Sequence, residues 1–225
     1  MRAVCGVIAG PLFVGAFTVI GARRAGYDSR RHAVSSLAEG REGWLQRANF
    51  MLAGGLYCVA AQGLARSPNR IVGPAAIPAL IFGAGVGLIG SGLFVTDPVA
   101  GFPPSAPARD GTDCEPGAAS VTRQGKLHNL CAIPIFGGIP VAALICAGSA
   151  ARRGESRWAA YCAASATTMA GASPLFGAAF GGVPRLAAWG GVFQRISIVS
   201  GLGWASALSL RTLTAGETGP GYQRS

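Results

Sequence analysis

The sequence predicts an all-α polytopic membrane protein, six transmembrane helices with kinked, glycine-rich packing, and three observations predict it. Charged residues make up only 12% of the 225, about half of their usual share in soluble domains. Six apolar stretches reach the roughly 20 residues that a helix needs to cross hydrocarbon. The basic residues fall between those stretches rather than in one patch, which removes the footprint of a nucleic-acid binder despite a net charge of +10. Half of the chain is hydrophobic, with a mean hydropathy of +0.41. A soluble domain of this size has no room to bury six helices that are apolar all round.

The expected spans are 3–22, 48–65, 71–96, 127–151, 158–182 and 190–212, one domain ending near 213, with 214–225 as a flexible tail. The first carries no charge, and it is followed by Arg23-Arg24 with no small-residue cleavage site. It reads as a retained helix rather than a signal peptide. The second, third and fifth are also uncharged, the fourth holds only His128, and the sixth holds Arg195 about one turn inside. Six spans put both termini on one side, with loops 23–47, 97–126 and about 183–190 on the other. The tight turns 66–70 and 152–157 are arginine-rich, so the positive-inside rule favours cytoplasmic termini. Trp44, Trp158 and Trp189 fall near span ends, as an interfacial aromatic belt requires, and Trp204 does not.

Small residues recur within the spans. Gly83, Gly85, Gly87 and Gly90 contain both GxxxG and GxGxxG spacings. The dinucleotide reading needs a strand before and a helix after, so close helix packing explains the run better. Gly177 and Gly181 read the same way. Pro11, Pro74, Pro78, Pro134, Pro140 and Pro174 lie within apolar runs, and each removes a backbone donor and is expected to kink its helix. Six cysteines show no paired spacing, so neither a disulfide framework nor a zinc site is expected.

Alternation brings four polar segments to one membrane face. They hold Asp28, His32, Ser35, Ser36 and Glu39; then Thr96, Asp97 and Pro98; then Lys126 and His128; then Gln194 and Arg195. An ionisable group at the hydrocarbon edge is costly unless it finds a partner or water. A histidine beside a carboxylate forms an acid–base pair, so Asp97, His128 and His32 are the candidate catalytic residues. Arg195, with Gln194, Ser35 and Asp28, is the candidate ligand-binding set, and Arg195 would face an anionic head group. Structural readings compete. Ser36-Leu-Ala-Glu39 matches a capping box and predicts a short interfacial helix from about Leu37. Asp97 suits a turn before proline, His128 a bond to a nearby carbonyl, and Arg195 snorkelling. No HxxxH or HExxH pair is present, and neither a metal nor a cofactor is expected.

The segments "GYDSRRHAVSSLAEGREGWLQRANF", "GLIGSGLFVTDPVAGFPP", "GKLHNL" and "FQR" resemble the signature segments of the bacterial membrane family catalogued as domain of unknown function 998. The resemblance runs from about residue 4 to 210. It implies a six-helix bacterial cell-membrane protein with polar signatures on one face, and it supplies no activity. The matching positions are Tyr27, Asp28, His32, Ser35, Ser36, Asn49, Thr96, Asp97, Pro98, His128, Gln194 and Arg195, without roles. The insert 105–123 departs from any tight motif.

Three readings of function follow. The first is a non-catalytic membrane protein of transport, sensing or accessory role. The second is an embedded enzyme acting through Asp97 and His128 on a lipid-like or isoprenoid substrate. The third is a binder of a hydrophobic or anionic small molecule. Membrane lipids are the expected partners, and nucleic acid is not.

Overall fold

The computed structural model describes residues 2–67, 72–103 and 121–217. Most of the insert 105–123, with Cys114, the Arg70 end of the first tight turn and the tail beyond Glu217 lie outside the described residues.

The described residues fold into six long rods. They are α1 (Arg2–Arg23), α2 (Trp44–Ala65), α3 (Ala76–Leu93), a continuous rod of α4 (Arg123–Ile133), a π-helical turn (Pro134–Gly138) and α5 (Ile139–Arg152), then α6 (Ser156–Phe180) and, after the single turn α7 (Pro184–Ala187), α8 (Gly190–Glu217). Thus α8 continues through the first residues expected in the tail. Five of the rods, α6 excepted, are long and apolar enough to cross a membrane. At 25 residues α6 has the length, but its Ala, Gly, Ser and Thr side chains dilute its hydropathy. The outer faces carry Ile8, Val19, Leu52, Val86, Leu130, Leu144 and Leu210, each about half exposed. That much uncovered apolar surface suits lipid contact and not water. This is a multi-pass membrane protein.

Neighbouring rods run antiparallel and close into a ring, α1–α2–α3–α4/α5–α6–α8 and back to α1. Small residues set the closest approaches. A Cβ on Gly54 of α2 would lie 2.5 Å from the Gly85 carbonyl oxygen of α3, and one on Gly90 would overlap Cys131 of α4. The run 83–90 therefore packs helices, as its small faces suggest. Gly177 does not: nothing lies within 4 Å of where its Cβ would stand. Spacing alone mistook an open wall for a seam. Ser206 Oγ donates to the Gly6 carbonyl at 2.8 Å, which closes the ring between α8 and α1. Across the centre, Tyr57 OH of α2 reaches the Leu202 carbonyl of α8 at 3.2 Å, and between the neighbours α8 and α6 the fully buried Trp204 donates to Cys162 Sγ at 3.2 Å.

Proline acts differently at each place. Pro11 and Pro174 sit within continuous helices. Pro134 opens the π turn, where the freed backbone is absorbed as a local widening of the helix.

The segment after α1 corrects an expectation. Instead of an interfacial helix, residues Ser35–Ala38 make one 3₁₀ turn with every residue buried. No side-chain cap forms at its start, and the Ser36 hydroxyl, fully buried, has no hydrogen-bond partner among the described residues. Ala33, Val34, Leu37 and Ala38 explain the outcome: each is at most 3% exposed, so the turn is driven into the bundle rather than laid upon it.

Candidate functional site

The polar segments meet at one end of the ring, where α1 and α3 finish and α2, α4 and α8 begin. The loop 27–34 is fastened there by Arg195, in the first turns of α8. Its guanidinium donates to the Tyr27 hydroxyl at 2.6 Å, the His32 carbonyl at 3.3 Å and the Gly191 carbonyl at 3.0 Å. It also lies over the rings of Phe17 and Tyr27, 5.6 and 5.7 Å from their centroids. Tyr27 in turn donates to the Ala33 carbonyl at 3.0 Å. Burial raises the Tyr27 pKa while Arg195 opposes the rise, so the phenol stays neutral and donates. One residue earlier, the Gln194 side-chain Oε1 accepts from Val34 N–H at 2.7 Å. Two adjacent α8 residues thus hold the loop.

His32 is buried within this loop. Its Nδ1 accepts from Asp28 N–H at 2.9 Å, which leaves the proton on Nε2, and the Ala100 backbone lies close to the ring. Ala100 and Gly101 both have positive φ, 57° and 79°, in the turn closed by Phe102 N–H on the Val99 carbonyl. Phe102 packs beside His32 at 5.2 Å between centroids. The exposed Asp28 side chain accepts from Arg30 N–H.

Burial first, then Arg31 and Arg195, lower the His32 pKa, with Asp28 and the Ala100 backbone opposing. The sign follows directly. An undocked loop carries an ordinary histidine near pH 6.5, and the docked ring resists the proton. Docking is therefore complete above about pH 6.5 and weakens as pH falls from there towards the docked value. The thermal midpoint is expected to drop between pH 7.5 and 5, and a His32→Asn variant should show a shallower fall. Equal slopes in both proteins would remove His32 as the cause.

Asp97 follows α3. One carboxylate oxygen accepts from Thr122 N–H at 3.0 Å and the other from the Thr122 hydroxyl at 2.6 Å. Thr122 also caps α4, its hydroxyl accepting from Gly125 N–H at 3.0 Å. Gly125 is required here, because a Cβ would overlap the Asp97 carboxylate. His128, one turn further, donates from Nδ1 to the Phe94 carbonyl at 2.8 Å, with the Ser91 carbonyl also in its field. Those are carbonyls that the end of α3 would otherwise leave unsatisfied.

Asp97, His128, Gln194 and Ser35 line one cavity of about 370 Å³, floored by Phe136 and Phe176. Gly177 and Gly181 form part of its α6 wall. Among the described residues that line it, only Asp97 carries a formal charge. Ser35, His128, Phe136 and Gln194 also bound a void of about 30 Å³ deeper in the bundle. His32, Asp28 and Arg195 do not line the cavity. His32 and Asp28 belong to the loop that leads to the lining residues Ala33 and Ser35, and Arg195 fastens that loop. Among the described residues no three His, Cys, Asp or Glu side chains are grouped to hold a metal.

Thr122, Phe136, Phe176 and Gly177 were absent from the sequence-based candidates. Thr122 stands in what reads as a variable insert, and its position just ahead of an α4 start was the available signal. The aromatic floor gave none, since Phe in an apolar run looks like core.

The family described as Protein of unknown function (DUF998) matches residues 7–211. No curated protein and no solved structure matches the chain.

Proposed function

We propose the following for a chain that belongs to the DUF998 family of proteins of unknown function: it is a six-span membrane protein with cytoplasmic termini that binds a small amphiphile at one rim, in a transport, sensing or accessory role. The observation that carries this reading is the rim cavity, whose described lining holds one acidic residue, Asp97, together with phenylalanines. Such a lining favours a ligand with a donor-rich or cationic head and a short apolar body. Counting α6 as the sixth span is supported by its length and by Tyr161 and Leu175 on its exposed face. The acid–base alternative through Asp97 and His128 draws no support from the hydrogen bonds, which tie Asp97 to Thr122 and His128 to Phe94.

The test uses purified full-length protein and three probes of one chain length, octylamine, octanol and octanoate. Octylamine is expected to raise the thermal midpoint by about 2–4 °C at concentrations several-fold above its Kd, more than the other two. Gly177→Leu should abolish the shift, because leucine there fills cavity space without meeting backbone. Equal shifts from all three probes, or an unchanged shift in the variant, would refute the reading.

A further inference from the structure

A second concavity lies on the opposite flank of the rim, outside the cavity above. Between α1 and α2 runs a groove of about 510 Å³, walled by Leu12, Ala16, Ile20, Leu45, Ala48 and Leu52. Ala16 and Ala48 are the small side chains in its walls, where larger ones would narrow the gap. Its surroundings are lipid-facing, with Val19 50%, Leu45 42% and Leu52 55% exposed. At its upper end it shares Arg23, Arg24 and Glu42 with a shallow pocket of about 360 Å³ that also includes Arg41. An apolar trough at hydrocarbon depth therefore opens directly onto a cationic shelf.

The charges on that shelf do not cancel. Arg24 is engaged, bonding Glu42 at 2.9 Å and the Glu39 carbonyl at 2.6 Å. Arg23 and Arg41 are exposed and make no ion pair among the described residues. Among the described residues that line the shelf, three guanidinium groups against one carboxylate leave a net charge of +2. Guanidinium is matched to phosphate by its planar fork, and Arg side chains at a span end reach the headgroup level naturally. We propose that this groove holds one acyl chain of an anionic phospholipid, whose phosphate is bound by Arg23 and Arg41. The trough supplies shape for the chain, and the uncompensated charge selects the head group. A zwitterionic lipid fills the same trough and gains less from the shelf, because its own ammonium offsets the phosphate.

Native mass spectrometry of the full chain, released from delipidated detergent micelles, tests the assignment. With equimolar dioleoyl phosphatidylglycerol and dioleoyl phosphatidylcholine, one phosphatidylglycerol is expected to remain bound at least about tenfold over phosphatidylcholine. The double variant Arg23→Gln, Arg41→Gln should lose that preference while keeping the thermal midpoint, since both side chains are exposed. Ala48→Phe, which blocks the trough, should reduce retention of both lipids and leave the arginines intact. Inorganic phosphate at millimolar concentration should not displace the lipid. Equal retention of the two lipids, a preference that survives the double variant, or displacement by free phosphate would each overturn the proposal. The octylamine response of the rim cavity is read separately in the same variants, so failure of one site does not imply failure of the other.

Discussion

Gly54→Leu is expected to destabilise the protein by roughly 3 kcal/mol, the upper part of the usual range for overpacking, and to lower its thermal midpoint by roughly 5–10 °C. The reason is what the new side chain would meet. A Cβ at Gly54 stands 2.5 Å from the Gly85 carbonyl oxygen and 2.9 Å from the Ile89 amide nitrogen. Both are backbone atoms within α3, so no rotamer change relieves the overlap and the two helices must separate. The seam is equally tight from the other side, where a Cβ on Gly85 would lie 2.8 Å from Cys58 Sγ of α2. Gly55→Leu supplies the control, because nothing lies within 4 Å of the Cβ position one residue along. The same change in residue type there should cost less than about 0.5 kcal/mol, as lipid-facing or surface substitutions do. Similar midpoints for the two leucine variants would show that helix contact at Gly54 does not limit stability.

Arg195→Ala acts on one loop rather than on the bundle. It deletes three hydrogen bonds and leaves the buried His32 carbonyl and the Tyr27 hydroxyl to find other partners. A hydrogen bond to a charged group contributes about 1.5–3 kcal/mol, and the half-buried setting of Arg195 puts the expected loss near 2 kcal/mol. That corresponds to roughly 30-fold faster opening-limited amide exchange across residues 27–34. Helical protection in α1 and α2 should be unchanged. Arg195→Lys should recover only part of the loss, because one ammonium cannot occupy positions that two guanidinium nitrogens fill together. Amide exchange measured by mass spectrometry decides the matter. Unaltered protection of the loop in Arg195→Ala would mean that Gln194 alone holds it.

Much of the architecture could be read from the chain because hydrocarbon imposes a length and forbids unpaired charge. Both rules act locally, residue by residue. The alternation of the rods then carried Asp97, His128, Gln194 and Ser35 to a common end without any pairwise contact being foreseen. What stayed hidden depended on contacts distant in sequence. Arg density made 29–42 look like surface, and four apolar residues within it, Ala33, Val34, Leu37 and Ala38, took the backbone inside. Ser36 and Glu39 carry the spacing of a cap, but a cap needs a helix start exposed enough to want one. At Gly177 and Gly181 the spacing was that of a packing face, yet the opposite surface there is empty space. The α6 rod was recognised by its lack of charge, while its small side chains keep it the least apolar of the six. Arg195 was assigned to a ligand by its cost in hydrocarbon, and that cost is met internally by Tyr27, His32 and Gly191.

The seam that closes the ring joins the first rod to the last. Gly6 and Gly10 of α1 fit against Ser209, Ser206 and Leu202 of α8, so α1 has no neighbour on that side until α8 enters the bilayer. At the usual pace of about 5–20 residues per second, a ribosome needs roughly 10–40 s to travel from Gly10 to the start of α8. For that interval the newborn helix shows a bare glycine stripe to the translocon and to other nascent chains. Biogenesis, more than the finished bundle, is where a bulky side chain at Gly6 or Gly10 would first do harm.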